Sequence, residues 1–152
     1  MPDRGGEAID GPSPARLYAT LIGGVLVVTG IVGFFYSASF GSPGEVDDAL
    51  GILSVNAWHN VFHIATGALG LLVAGYAARQ YSLCLGVLYL GLAGWGFVIG
   101  SGESILGFIP VNTADDLLHL VLGLLGVAAA FATPTTSRAA SAASRPGAAS
   151  AT

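Results

Sequence analysis

From Leu17 to Phe35 the chain carries no charge and is mostly Leu, Ile, Val, Gly and Phe. That is about the 20 residues needed to cross a hydrocarbon core of roughly 30 Å. Three further apolar runs follow, at 57–77, 81–100 and 113–132. Inside a bilayer each backbone amide must find its partner within the chain, so these runs are read as helices. Apolar residues make up 53% of the sequence and charged residues 9%, too few charges to cover a soluble domain, where roughly 25% is usual. The expected fold is an all-α membrane protein, a four-transmembrane-helix bundle over residues 15–132. Residues 1–14 and 133–152, rich in Gly, Pro, Ser, Ala and Thr, read as disordered tails. The first run is longer than the roughly 7–15-residue core of a cleaved signal peptide and follows an acidic flank, so it is read as a retained span.

One stretch is written twice. Residues 50–71, LGILSVNAWHNVFHIATGALGL, return as residues 106–127, LGFIPVNTADDLLHLVLGLLGV. Aligned, Asn56 meets Asn112, His63 meets His119, Gly67 meets Gly123 and Gly70 meets Gly126. His59 falls on Asp115 and Asn60 on Asp116. The preceding runs also match: Ala15-Arg16-Leu17-Tyr18 aligns with Ala78-Arg79-Gln80-Tyr81, and Gly23, Gly33 and Phe34 align with Gly86, Gly96 and Phe97. The chain therefore reads as an internal repeat of two tandem helical hairpins. Each hairpin crosses the membrane twice, so the copies share one orientation and are related by an axis along the membrane normal. An up-down-up-down bundle then makes helices 2 and 4 diagonal partners.

Charge orients the bundle. Arg4, Arg16, Arg79, Arg138 and Arg145 fall on one side of a four-span alternation, and there is no lysine. Glu45, Asp47, Asp48 and Glu103 fall on the other side. By the positive-inside rule this is a multi-pass plasma-membrane protein with both termini cytoplasmic and the repeated stretch facing outward. Tyr18, Tyr76 and Tyr81 are read as aromatics of the inner interface and Trp58 of the outer one. No basic patch is present to meet nucleic acid. Cys84, the single cysteine, excludes an intramolecular disulfide and reads as a small buried thiol. Gly96 and Gly100 have the GxxxG spacing of a dimer face, the sign of a homodimer or a membrane partner subunit beyond the lipid bilayer itself. Residues 46–55 are expected as a short amphipathic segment on the outer surface.

The chemistry gathers on helices 2 and 4. Asn56 and Asn112 stand where helix N-caps belong, with Asp115 in the first turn of its helix. Asn60, His63, Gly67, Gly70 and Ala74 form a stripe with spacings of 3 and 4, copied as Asp116, His119, Gly123, Gly126 and Ala130. Small residues mark close helix packing in membranes, which turns this face into the bundle. His59 and His63 are one helical turn apart and converge, as do Asp115 and His119. Two readings follow. In the first, Asn56, Asn60, Asn112 and Asp116 with the histidines are polar contacts of a non-catalytic bundle or a partner site. In the second, His59, His63, Asp115 and His119 hold a zinc, copper or iron ion, or less favourably a haem, in a redox or sensing role. The sequence holds no nucleophile beside a base, no phosphate-binding loop and no cleft carboxylate pair, so no enzyme activity is assigned.

The pattern NxxHNxxHxxxG followed by VNTADxxLHLxLG resembles that of a family of small bacterial, largely actinobacterial, four-span membrane proteins classed as a domain of unknown function. The resemblance covers about residues 15–132 and rests on Asn56, His59, Asn60, His63, Asn112, Asp115 and His119. It departs from the pattern at Asp116, where an Asn is expected. It implies a four-helix fold and brings no activity with it.

Overall fold

A computed structural model describes residues 11–40, 47–49 and 51–135 of the chain. The expected disorder of the tails falls on residues almost all outside that range. Four helices form: α1 (Pro14–Gly33), α2 (Ala57–Val73), α3 (Ala78–Ile99) and α4 (Thr113–Ala132). Between α1 and α2 lie strands β1 (Asp47–Ala49) and β2 (Leu53–Val55), paired antiparallel. Between α3 and α4 lie β3 (Ser104–Ile105) and β4 (Ile109–Pro110), paired the same way. Over residues 47–49 and 53–55 the amphipathic segment expected at 46–55 is thus corrected to paired strands, and residues 46 and 50 lie outside the described residues. Gly51 at φ 69° reverses the chain there, and Leu106 with Gly107, at φ 53° and 77°, does so in the second hairpin.

Helices α1, α3 and α4 are long and apolar enough to cross a membrane. Helix α2, expected to run to Ala77, stops at Val73 after 17 residues, or roughly 25 Å at 1.5 Å per residue. It stops because Ala74–Ala77 turn to start α3. The freed carbonyls are taken by Arg16, whose Nε donates to Ala74 O (3.2 Å) and whose guanidinium also donates to Gly75 O (3.1 Å). Arg79 Nε donates to Ala130 O in the last turn of α4 (3.1 Å). A cation at a helix C-terminus satisfies orphan carbonyls and suits the helix dipole.

Helix α1 packs along α2 and α3 along α4, and the two pairs meet through lighter α1·α3, α1·α4 and α2·α3 contacts. The close pairs rest on glycine. A Cβ at Gly23 would stand 2.9 Å from Gly67 O, and one at Gly86 would stand 2.7 Å from Val127 N and 2.9 Å from Gly123 O. Their outer faces are covered by exposed Leu, Val, Ile and Phe, as lipid requires.

Four expectations change. Tyr18 and Tyr81 are buried rather than interfacial: their hydroxyls donate to Leu122 O (2.8 Å) and Thr66 O (3.0 Å), which secures both ends of these amphipathic rings inside the bundle. Tyr76 does remain exposed. Cys84 is exposed on the outer face of α3. Gly96 faces Asp116 of the same chain, where a Cβ would collide with its carboxylate, so it does not form a dimer face.

Candidate functional site

The hairpin-bearing end of the bundle assembles the polar residues. Asn56 and Asn112 cap α2 and α4: Asn56 Oδ1 accepts from His59 N (2.9 Å) and Asn112 Oδ1 from Asp115 N (3.0 Å). Each cap also reaches into the other half. Asn56 Nδ2 donates to Phe108 O (2.7 Å) beside β4, and Asn112 Nδ2 donates to Ile52 O (2.8 Å) and Ser54 Oγ (3.0 Å). The caps therefore satisfy helix-end amides and fasten both hairpins over the helix ends at once.

Strand β2 is held from both sides at Ser54. Its N–H donates to Asp115 Oδ2 (3.0 Å), and its carbonyl lies 3.0 Å from His59 Nδ1. A carbonyl can only accept, so His59 carries its proton on Nδ1. That leaves His59 Nε2 with a bare lone pair, directed at His63 Nε2 3.1 Å away. His119 completes the group from α4, its ring centroid 6.1 Å from that of His59 and 5.0 Å from that of Tyr89. One nitrogen from each of His59, His63 and His119 lies within 4.8 Å of the others. His59 and His119 are 2% and 5% exposed, and His119 Nδ1 is buried with no hydrogen-bond partner among the described residues.

Three of the four residues read as ligands thus converge, and the fourth takes another part. The Asp115 carboxylate holds the Ser54 amide, and through Ser54 it helps to place His59. Of the polar companions, Asn60 donates from Nδ2 to Ser37 O (2.9 Å) against Gly33, while Asp116 lies against Gly96. Neither Asn60 nor Thr66 bridges to a histidine ring across the bundle: the Thr66 hydroxyl turns back to Phe62 O (2.7 Å).

Sequence reasoning missed Ser54, Tyr89 and the second hairpin as parts of the site. Ser54 sits in the paired words LSVN and IPVN, two residues before each cap. That spacing is the signal that ties a strand to a helix start.

The three imidazoles open onto a cavity of about 380 Å³ between α2 and α3, roofed by the second hairpin. Its remaining wall is almost wholly apolar, from Phe62, Val87 and Leu88 to Trp95 and Ile109. A family model described as "Domain of unknown function (DUF4383)" matches residues 16–132. No curated protein and no solved structure matches the chain.

Proposed function

The chain belongs to that family, and from this premise we propose that it is a membrane protein that holds one divalent transition-metal ion, of the zinc or copper(II) class, on His59, His63 and His119. The observation that carries this reading is the 3.1 Å approach of His59 Nε2 to His63 Nε2 while Nδ1 of His59 is engaged by Ser54 O. Metal-bound histidines characteristically donate their other ring N–H to a backbone carbonyl, which fixes the tautomer and turns the free nitrogen to the ion. Zinc–nitrogen bonds of about 2.0–2.1 Å set cis ligands roughly 3.3 Å apart, close to the spacing of this pair. The buried Nδ1 of His119, which has no hydrogen-bond partner among the described residues, adds a third ring with a nitrogen to spare. Nitrogen ligands without thiolate favour zinc or copper(II) over copper(I). Three imidazoles leave a tetrahedral ion one open position, on the side of the cavity.

A second reading is favoured by the same distance, since a ring N–H to ring N hydrogen bond also spans about 3 Å. In it the histidines are polar contacts of a non-catalytic bundle. The two part on metal content. Protein stripped with a chelator, reconstituted in nanodiscs and dialysed against Zn²⁺ is expected to retain about one ion per chain. His59→Ala, His63→Ala or His119→Ala each lowers affinity by at least about tenfold, and Asp115→Asn by a smaller factor through Ser54. Substoichiometric zinc in the wild type, or unaltered affinity in all three histidine variants, would leave the polar-contact reading standing.

The architecture proposed with this site is a tandem repeat of two hairpins, with the histidines on the outward side and the arginine-capped helix ends on the cytoplasmic side. Reciprocal contacts support the repeat. Asn56 reaches Phe108 O as Asn112 reaches Ile52 O, and Tyr18 reaches Leu122 O as Tyr81 reaches Thr66 O. Arg16 holds Ala74 O as Arg79 holds Ala130 O. In each pair the donors and the acceptors are matched positions of the two halves. Arginine at one end and acidic loops at the other support the orientation.

A further inference from the structure

The cavity beside the histidines has the wrong lining for a water-borne ligand. Of its polar side chains, Thr66 spends its hydroxyl on Phe62 O, which leaves the three imidazoles and Tyr89 at the closed end. Toward the outside, Phe62, Val87, Trp95 and Leu106 line it while remaining 44%, 57%, 45% and 65% exposed. These residues lie on the lipid-facing sides of α2 and α3 and on the hairpin above them, so the mouth opens sideways between two helices. A solute entering from water would shed its hydration among apolar groups, whereas one entering from the bilayer would not.

Resting on the metal reading, we infer that this groove takes a single-tailed, lipid-phase amphiphile whose oxygen-donor head meets the imidazole-bound ion at its open position. The size agrees. About 380 Å³ lies in the usual range of roughly 300–1,000 Å³ for ligand sites, and it holds about a dozen water-sized groups at ~30 Å³ each. That admits one medium acyl chain or a substituted ring, and excludes a two-tailed phospholipid. The buried edge of His119, whose Nδ1 has no hydrogen-bond partner among the described residues, joins His59, His63 and Tyr89 as the polar end of the groove. An oxygen donor on an apolar body comes from two sources, a fatty carboxylate or a quinol, and the test has an arm for each.

The test uses cobalt(II)-loaded protein in nanodiscs, titrated separately with decanoate, with a decyl-substituted benzoquinol and with acetate. The visible bands of tetrahedral cobalt report the head, and Trp95 fluorescence in a Trp58→Phe background reports the tail. At least one amphiphile is expected to change both signals at concentrations where acetate changes neither. A Cβ at Gly91, on the groove wall, would meet nothing within 4 Å, and the same holds for Gly94, which does not line the groove. Gly91→Leu should keep the cobalt bands and weaken the amphiphile response at least about tenfold, with Gly94→Leu staying within about twofold. The inference is overturned if Trp95 responds to neither amphiphile, if acetate acts as well as they do, or if Gly91→Leu responds as wild type. Missing cobalt bands in the wild type, with Trp95 still responding to amphiphile, would overturn the metal reading and the head contact while leaving the tail in the groove.

Discussion

Asn60 and Asp116 occupy matched places with different chemistry. Both are almost fully buried, at 1% and 2% exposure, each against a glycine of the preceding helix. Asn60 donates to Ser37 O, but Asp116 Oδ1 has no hydrogen-bond partner among the described residues. A buried oxygen left unpaired costs about 1–3 kcal/mol. Asp116→Asn places an amide donor at this position, as Asn60 has in the other half, and should raise the unfolding free energy in detergent by up to ~2 kcal/mol and the midpoint with it. A lower midpoint would mean that the carboxylate is required. The stripe that buries these residues was legible from its spacings of 3 and 4, and so was the convergence of the three histidines. The hydrogen bond that Asp115 accepts from Ser54 N–H was not legible, because it comes from a backbone amide of a strand three residues long. A pattern of side chains does not encode that contact.

At the scale of the elements, one helix contains its own control. A Cβ at Gly86 would press on α4 backbone, whereas one at Gly94 would meet nothing within 4 Å. Gly86→Val should therefore cost about 2 kcal/mol or more by forcing α3 from α4, and Gly94→Ala should be neutral or add up to ~1 kcal/mol through helix propensity. Equal effects in the two variants, measured by thermal unfolding, would contradict the packing described. The caps make a second comparison. Asn56→Ala and Asn112→Ala each lose a cap worth ~1 kcal/mol and a hydrogen bond to the opposite hairpin, so each should cost about 1.5–3 kcal/mol. Helix starts were legible because Asn56 and Asn112 announce them, and α4 begins and ends where its apolar run does. The hairpins were hidden, since two- and three-residue strands are too short to show alternation. The inward turn of Tyr18 and Tyr81 was hidden too, because an amphipathic ring suits an interface as well as a bundle core.

In the whole molecule, close packing lies within α1·α2 and α3·α4, while polar side chains cross between the pairs at both ends. Tyr18 and Tyr81 tie mid-helix carbonyls of the opposite pair and the asparagine caps tie the opposite hairpins, while Arg16 and Arg79 hold carbonyls at the helix ends of their own pairs. This leaves the imidazoles brought together where α2 meets β4 and α4 meets β2, beside a groove open between α2 and α3. The number of helices was legible from hydropathy, and so was the packing of α1 with α2 and of α3 with α4. The groove was not, because it arises where α2 and α3 diverge and where the second hairpin covers the gap. The most direct test of the metal centre is X-ray absorption at the zinc edge of the reconstituted protein. Three imidazole nitrogens at about 2.0 Å with their outer-ring scattering are expected, falling to two in His119→Ala. A zinc shell without imidazole scattering, or one unchanged by that substitution, would contradict it.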